Sequence, residues 1–252
     1  DYVETEHIVN AFNELLGRMR TLDESRQEFV SNVSHELKTP ITSMKVLADS
    51  LISQEDVPIE LYKEFMTDIA EEIERENKII TDLLSLVKMD KTSANLNIEN
   101  RNLNELIELI LKRLRPIAKQ RNIDVLYESA REVFAEIDEV KLTLAISNLV
   151  ENAIKYNKEY GYVKVSLDAD HQFATIMVED NGIGIPEEAQ EHIFERFYRV
   201  DKSHSREIGG TGLGLAIARN AILLHRGSIK IDSEEGQGTV FTVKIPIIYV
   251  SK

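Results

Sequence analysis

The chain has 252 residues, is 42% hydrophobic, and carries a formal net charge of −14 from 30 basic and 44 acidic side chains. That length holds one large domain or two small ones, and the acidic balance, with no basic stretch to neutralise phosphates, argues against a nucleic-acid binder. No cysteine is present, so disulfides and thiolate metal sites are excluded; no apolar run approaches the roughly 20 residues that span a bilayer, and no signal-peptide pattern occurs. Asp1 enters in the middle of a helical pattern, so a piece lacking its upstream part is expected.

Residues 1 to about 51 read as one long helix. Ile8, Phe12, Leu15, Met19, Leu22, Phe29, Val33 and Leu37 recur by fours and threes, a coiled-coil seam broken only at Arg26. Within it lies Ser34-His35-Glu36-Leu37-Lys38-Thr39-Pro40. His35 falls roughly 200° round from Val33, which turns it away from the seam. Pro40 removes an amide donor and crowds the Glu36 carbonyl, so a bend one turn after the histidine is expected. An outward histidine beside a carboxylate is a candidate nucleophile with a group to orient it. Alone, such a pair is more often a solvated surface histidine.

Ser53 to Pro58 interrupts the period, and Tyr62, Met66, Ile69, Ile73, Glu76, Ile80, Leu83 and Val87 resume it. Two such helices make an antiparallel hairpin with one wet stripe, so pairing of two copies into a four-helix bundle is expected. Residues 92–97 read as a linker. Beyond them come an amphipathic helix from Leu103 to Gln120, strands at Ile123 to Tyr127 and Val133 to Ile137, and a helix from Glu139 to Tyr156. Strands Tyr162 to Leu167 and Phe173 to Val178 alternate at period two. A glycine-rich charged region runs from Asn181 to Gly214. Helix Leu213 to His225 and strands Ser228 to Asp232 and Thr239 to Ile245 complete a two-layer α/β sandwich.

Nine of the eleven glycines follow Asn181, where backbone must move or approach a ligand closely. Gly210-Thr211-Gly212-Leu213-Gly214 opens into a helix, and its amides with the helix dipole form an anion cradle. Asn148, Asn152 and Lys155 share one helix face, presenting amide oxygens and an ammonium that suit Mg²⁺ and phosphates. Asp180 ends a strand ahead of Gly182 and Gly184, where a carboxylate can accept a hydrogen bond from an exocyclic amine. His7, His171, His192, His204 and His225 share no spacing and read as ordinary surface or core residues.

With these segments in order, the chain resembles the cytoplasmic part of a bacterial two-component sensor histidine kinase from Glu28 onward. The phospho-acceptor box is Ser34 to Pro40, and the asparagine box Asn148 to Tyr156. Asp180 to Gly184, Phe194-Glu195-Arg196-Phe197-Tyr198-Arg199, Gly210 to Gly214 and Gly236-Gln237-Gly238-Thr239 follow. Ala11 to Leu16 resembles the second helix of a HAMP signal-relay module.

The resemblance implies a multidomain chain. Residues 1–20 would be a signal-relay helix, 21–91 an all-α dimerisation and histidine-phosphotransfer hairpin, 92–97 a linker, and 98–252 a Bergerat-type ATP-binding sandwich. It implies ATP and Mg²⁺ as cofactors, with Asn152 on the metal and Asn148 assisting. Lys155 would contact phosphate, Tyr156 flank the nucleotide, and Asp180, Gly182 and Gly184 receive adenine. Gly210, Thr211, Gly212, Leu213, Gly214 and Thr239 would line the site. Arg199 would stabilise the γ-phosphate, with Lys202 and Arg206 as further candidates on a lid from about Glu195 to Gly210. His35 would take the phosphoryl group, Glu36 would orient its proton, and Thr39 would orient water in a phosphatase reaction.

The implied partners are a second copy of the chain and the receiver domain of a response regulator. The implied location is the cytoplasmic face of a membrane protein whose anchor lies upstream. Two other readings stay open: an ATP-driven conformational machine on the same fold, and a non-catalytic phosphorelay scaffold.

Overall fold

The computed structural model describes residues 2–53, 57–91, 96–200 and 210–249. The chain divides into two compact units, Asp1–Ile79 and Ile80–Lys252. This division falls inside a helix, twelve residues ahead of the stretch that reads as a linker.

The first unit holds helix α1 (Tyr2–Ile52) and the opening of α2 (Ile59–Lys91). Pro40 lies within α1 and is buried. On α1, Phe29, Val33 and Leu37 are half-buried, whereas Phe12, Leu15 and Met19 are more than half exposed. On α2, Leu61, Phe65 and Ile69 form a half-buried stripe, while Tyr62, Met66 and Ile73 beside them face solvent. The apolar face of α2 is therefore wider than one seam. Part of it is covered within this chain; of the residues read as the seam, Tyr62, Met66 and Ile73 supply the exposed edge, whereas Ile69 and Leu83 are half-buried. Glu76 is a half-buried carboxylate on that helix. Its Oε2 is without a hydrogen-bond partner among the described residues, and burial, then Glu72, pushes its pKa up. Among the described residues no helix is long and apolar enough to cross a membrane.

The second unit continues with β1 (Glu99–Asn102), α3 (Leu103–Gln120), β2 (Asp124–Ser129), β3 (Phe134–Ile137), α4 (Glu139–Lys155), β4 (Tyr162–Ala169) and β5 (Phe173–Asp180). A short α5 (Glu187–Gln190), α6 (Gly214–Leu224), β6 (Ser228–Glu234) and β7 (Gly238–Pro246) complete it. Five strands lie in the order β2-β4-β5-β7-β6; β2 and β4 are parallel and the other neighbours antiparallel.

Alternation decides the faces. Val163, Val165, Ala174, Ile176, Val178, Val243 and Ile245 are buried beneath the helices, while Lys164, Met177 and Thr242 lie on the other side. Leu106, Ile107, Ile110, Leu111 and Leu114 of α3 join that core. Asn102 starts α3 by accepting hydrogen bonds from the Asn104 and Glu105 amides at 2.9 and 3.4 Å.

Strand β1 is absent from the sequence reading because Glu-Asn-Arg-Asn has neither β propensity nor alternation. Pairing with β3, from Glu99↔Ile137 to Asn102↔Phe134, makes it a strand, and Arg101 bridges Glu99 and Glu139.

The final turns of α2 belong to this unit. Leu86 and Met89 lie in its core, with Leu83 packed against it. Asp82 falls on the same face and is buried.

Candidate functional site

Two sets of candidate residues lie in different units. On α1, His35 and Thr39 are exposed and Glu36 is half-buried. The Thr39 hydroxyl donates to the His35 carbonyl at 3.0 Å, one turn back along its own helix. A hydroxyl that donates in this way still has lone pairs with which to accept.

The second set surrounds the ends of α4, β5 and α6. Asp180 closes β5 opposite Thr239 on β7. Its Oδ1 accepts the Gly182 amide at 2.8 Å, yet burial pushes its pKa up to about 6. A carboxylate deprived of water is a strong acceptor for a ligand N–H. Gly182 is required by close approach, since a Cβ there would lie 2.3 Å from the Tyr156 carbonyl oxygen. That carbonyl also accepts the Ile183 amide at 3.1 Å, tying the end of α4 to the turn after Asp180.

Further hydrogen bonds fix this wall. Asn181 Oδ1 accepts the Tyr162 amide at 2.7 Å, and Asn157 Nδ2 donates to the Tyr162 carbonyl at 2.9 Å. The Ser233 hydroxyl accepts the Ile185 amide and meets the buried Thr239 hydroxyl at 2.9 Å. Gln190 donates to the Ile185 and Ser233 carbonyls at 2.9 and 2.8 Å. The Gly184 turn is thereby held to the sheet at several points. Thr239 is a sequence candidate; Asn157, Asn181, Gln190 and Ser233 are not, because each acts through neighbours that the fold brings together.

The stretch Gly210 to Gly214 runs into α6. Arg199 Nη1 donates to the Gly210 carbonyl at 2.6 Å. Lys155 reaches the same residue: a Cβ on Gly210 would lie 2.1 Å from its Nζ, which also stands 4.9 Å from the Tyr156 ring centre. Gly212 has φ +67° and packs against the Phe197 backbone, whose amide donates to the Gly212 carbonyl at 2.9 Å. Both the left-handed backbone and the contact suit glycine.

Asn148 is buried, donating to the Leu144 carbonyl at 2.9 Å with Oδ1 turned toward Gly214. Asn152, one turn on, is half-buried. Its side chain makes no hydrogen bond among the described residues, so its amide oxygen is available to an oxygen-loving cation. The Leu213 side chain is fully buried, which leaves only its backbone for a ligand. Lys202 and Arg206 lie outside the described residues, as does much of the expected lid, and so does His204.

Two groups hold positions that the sequence reading does not assign them. His225 is buried: Nδ1 donates to the Ala221 carbonyl at 2.7 Å and Nε2 accepts the Asp138 amide at 2.9 Å. Acceptance at Nε2 requires the neutral ring, and desolvation holds its pKa below the usual range. Asp138 caps α4 through the Lys141 amide at 3.1 Å and pairs with Lys141 Nζ at 2.6 Å. His225 thus ties the end of α6 to the start of α4, the two helices that frame the cradle. Asp82 on α2 accepts the Thr211 hydroxyl at 2.8 Å. The spacing of Ile79, Asp82, Leu86 and Met89 by threes and fours is the signal that would have found this second face of α2.

Residues 25–92 match the His Kinase A (phospho-acceptor) domain, and residues 137–248 match the histidine kinase-, DNA gyrase B- and HSP90-like ATPase family. The sensor histidine kinase WalK of Bacillus subtilis is 38% identical over 228 residues, 89% of this chain and 37% of that protein. The catalytic domain of histidine kinase ThkA is 32% identical with a TM-score of 0.54, covering 61% of this chain and 97% of that one. ThkA in complex with the response regulator protein TrrA is 28% identical with a TM-score of 0.71, covering 87% of this chain and 61% of that one. The chain thus spans little more than a third of the length of the curated relatives it matches.

Proposed function

Because the chain belongs to the family of two-component sensor histidine kinases, we propose that it phosphorylates itself on His35 from ATP and passes the phosphoryl group to an aspartate of a response regulator. The observation that carries this reading is the convergence of Lys155, Tyr156 and Arg199 on Gly210, on the same unit as a desolvated Asp180. One set of groups suits phosphates and the other an adenine amine. ThkA, whose structure with a response regulator resembles this chain, supports the choice of partner.

In the proposed reaction a ring nitrogen of His35 attacks the γ-phosphorus, and its lone pair becomes the new N–P bond. The bond to the β,γ-bridging oxygen breaks, and ADP leaves with that electron pair. The proton on the other ring nitrogen is oriented by Glu36, the adjacent carboxylate. Lys155 and Arg199 hold phosphate oxygens in line, and positioning with charge neutralisation does most of the work in such transfers. Mg²⁺ held by Asn152, with Asn148 assisting, would neutralise phosphate charge. Asn152 fits this role, as a half-buried amide with no competing side-chain hydrogen bond among the described residues, one turn after Asn148.

The wet stripe on α1 and α2 supports a homodimer through the 21–91 hairpin. Residues 1–20 would relay a signal from an upstream, membrane-anchored part, and 98–252 would bind the nucleotide. Thr39, one turn from His35, would orient water when the same chain dephosphorylates its regulator; regulator phosphatase activity that survived Thr39→Ala would remove that role.

The test is incubation with γ-labelled ATP of the wild type beside His35→Gln and Asp180→Asn. An acid-labile, alkali-stable label on the wild type alone is expected. Undiminished label on His35→Gln would overturn the assignment. An unlabelled wild type that nonetheless hydrolysed ATP would favour a conformational machine.

A further inference from the structure

Asp82 is a buried carboxylate that the proposed chemistry does not use. It is 8% exposed, and its Oδ2 accepts the Thr211 hydroxyl at 2.8 Å, with Thr211 itself 7% exposed. The same hydroxyl oxygen accepts the Leu213 amide at 3.2 Å. A relay therefore runs from a cradle amide through a hydroxyl to a carboxylate on α2. Leu86 and Met89, one and two turns further along, are seated in the core, so Asp82 is fixed by the helix that carries it.

A carboxylate and a nucleotide phosphate are alike in what they ask of the cradle. Both are anionic acceptors that want its donors, and bringing them together in a partly desolvated place sets like charges against each other. We propose that Asp82 is a positioning residue that acts through Thr211 as an internal substitute for phosphate, so that nucleotide binding and the seating of residues 80–91 on the α/β unit oppose each other. This rests on reading Gly210 to Gly214 as the cradle for the nucleotide phosphates. Because coupling is reciprocal, whatever weakens the Asp82 contact tightens ATP, and ATP in turn loosens residues 80–91.

The test titrates wild type and Asp82→Asn with ATP, ADP and adenosine, and follows hydrogen exchange over residues 80–91 with and without ATP. Asp82→Asn is expected to bind ATP roughly 5- to 10-fold more tightly, ADP by a smaller factor and adenosine unchanged. A merely structural role would move all three equally. In the unmodified protein, ATP should speed exchange at 80–91. Equal changes for all three ligands, weaker ATP binding by Asp82→Asn, or unchanged exchange would each overturn the proposal. The exchange arm uses no variant, so it decides the matter even if Asp82→Asn fails to fold. Wild type that binds no ATP at all would instead sink the nucleotide reading, whereas normal ATP binding with an indifferent Asp82→Asn sinks this proposal alone.

Discussion

The two units treat their apolar residues in opposite ways. In the α/β unit, Ile107, Leu149, Val163 and Ile176 are fully buried; in the helical unit, Phe12 and Met19 are 59% and 66% exposed, and Ile73 is 46% exposed. The first closes its core with its own sheet and helices. The second leaves a stripe that water does not favour, which the matching stripe of a second copy would cover in the proposed dimer. The candidate groups are divided along the same line, with the exposed His35 on the helical unit and the desolvated Asp180 in the α/β unit.

The strongest way to break this contrast is to place charge on the stripe. Met66→Glu with Ile73→Glu should convert a dimer to a monomer, since burying such charges unpaired costs about 3–5 kcal/mol. Light scattering checks the mass, and calorimetry should find the α/β transition unmoved. Loss of both together would mean that the units are not independent.

Next in size is His225→Ala. It strips two buried hydrogen bonds and leaves a cavity in the α/β unit, at a cost of about 2–4 kcal/mol by denaturant melts. The sign of the pH dependence follows from the lowered pKa, beside Asp138 and Lys141. The unfolded ring takes a proton that the folded one refuses. Stability from this group is therefore complete above about pH 6.5 and declines as pH falls through and below that value. The variant should lose that slope.

Asp180→Asn sharpens the contrast between stability and function inside one unit. Its carboxyl pKa is raised to about 6, so its contribution to stability is complete below the ordinary value of 3.8 and is lost as pH rises through 6. At pH 7.5 the variant should melt higher, by about 1 kcal/mol after allowance for solvent screening, with the gap closing toward pH 4. Nucleotide affinity should fall at least tenfold, which titration calorimetry reads. The smallest effect is expected from Asn102→Ala, which removes the cap of α3 for about 1 kcal/mol and should leave nucleotide affinity unchanged.

Legibility in the sequence follows the range of the interactions. Helix α3 is read at its observed bounds because a strong apolar stripe marks it from end to end. Strand β1 is invisible because only its partner strand makes it extended. The boxes around Asp180 and Gly210 stand out because the backbone there demands glycine. Asn157, Asn181, Gln190 and Ser233 support the same wall without any local mark, since their bonds join segments that only the fold brings together. His225 reads as ordinary until the ring is found between two helices. On α2 a heptad reading selects one seam, whereas the helix has two faces, and Asp82 lies on the overlooked one.

Helix α2 runs unbroken for 33 residues, about 50 Å at 1.5 Å per residue, and the boundary between the units falls within it at Ile79. Within the α/β unit, residues 80–91 carry the carboxylate that grips Thr211, so on the proposal above a displacement of that segment would be felt at the opening residues of the cradle.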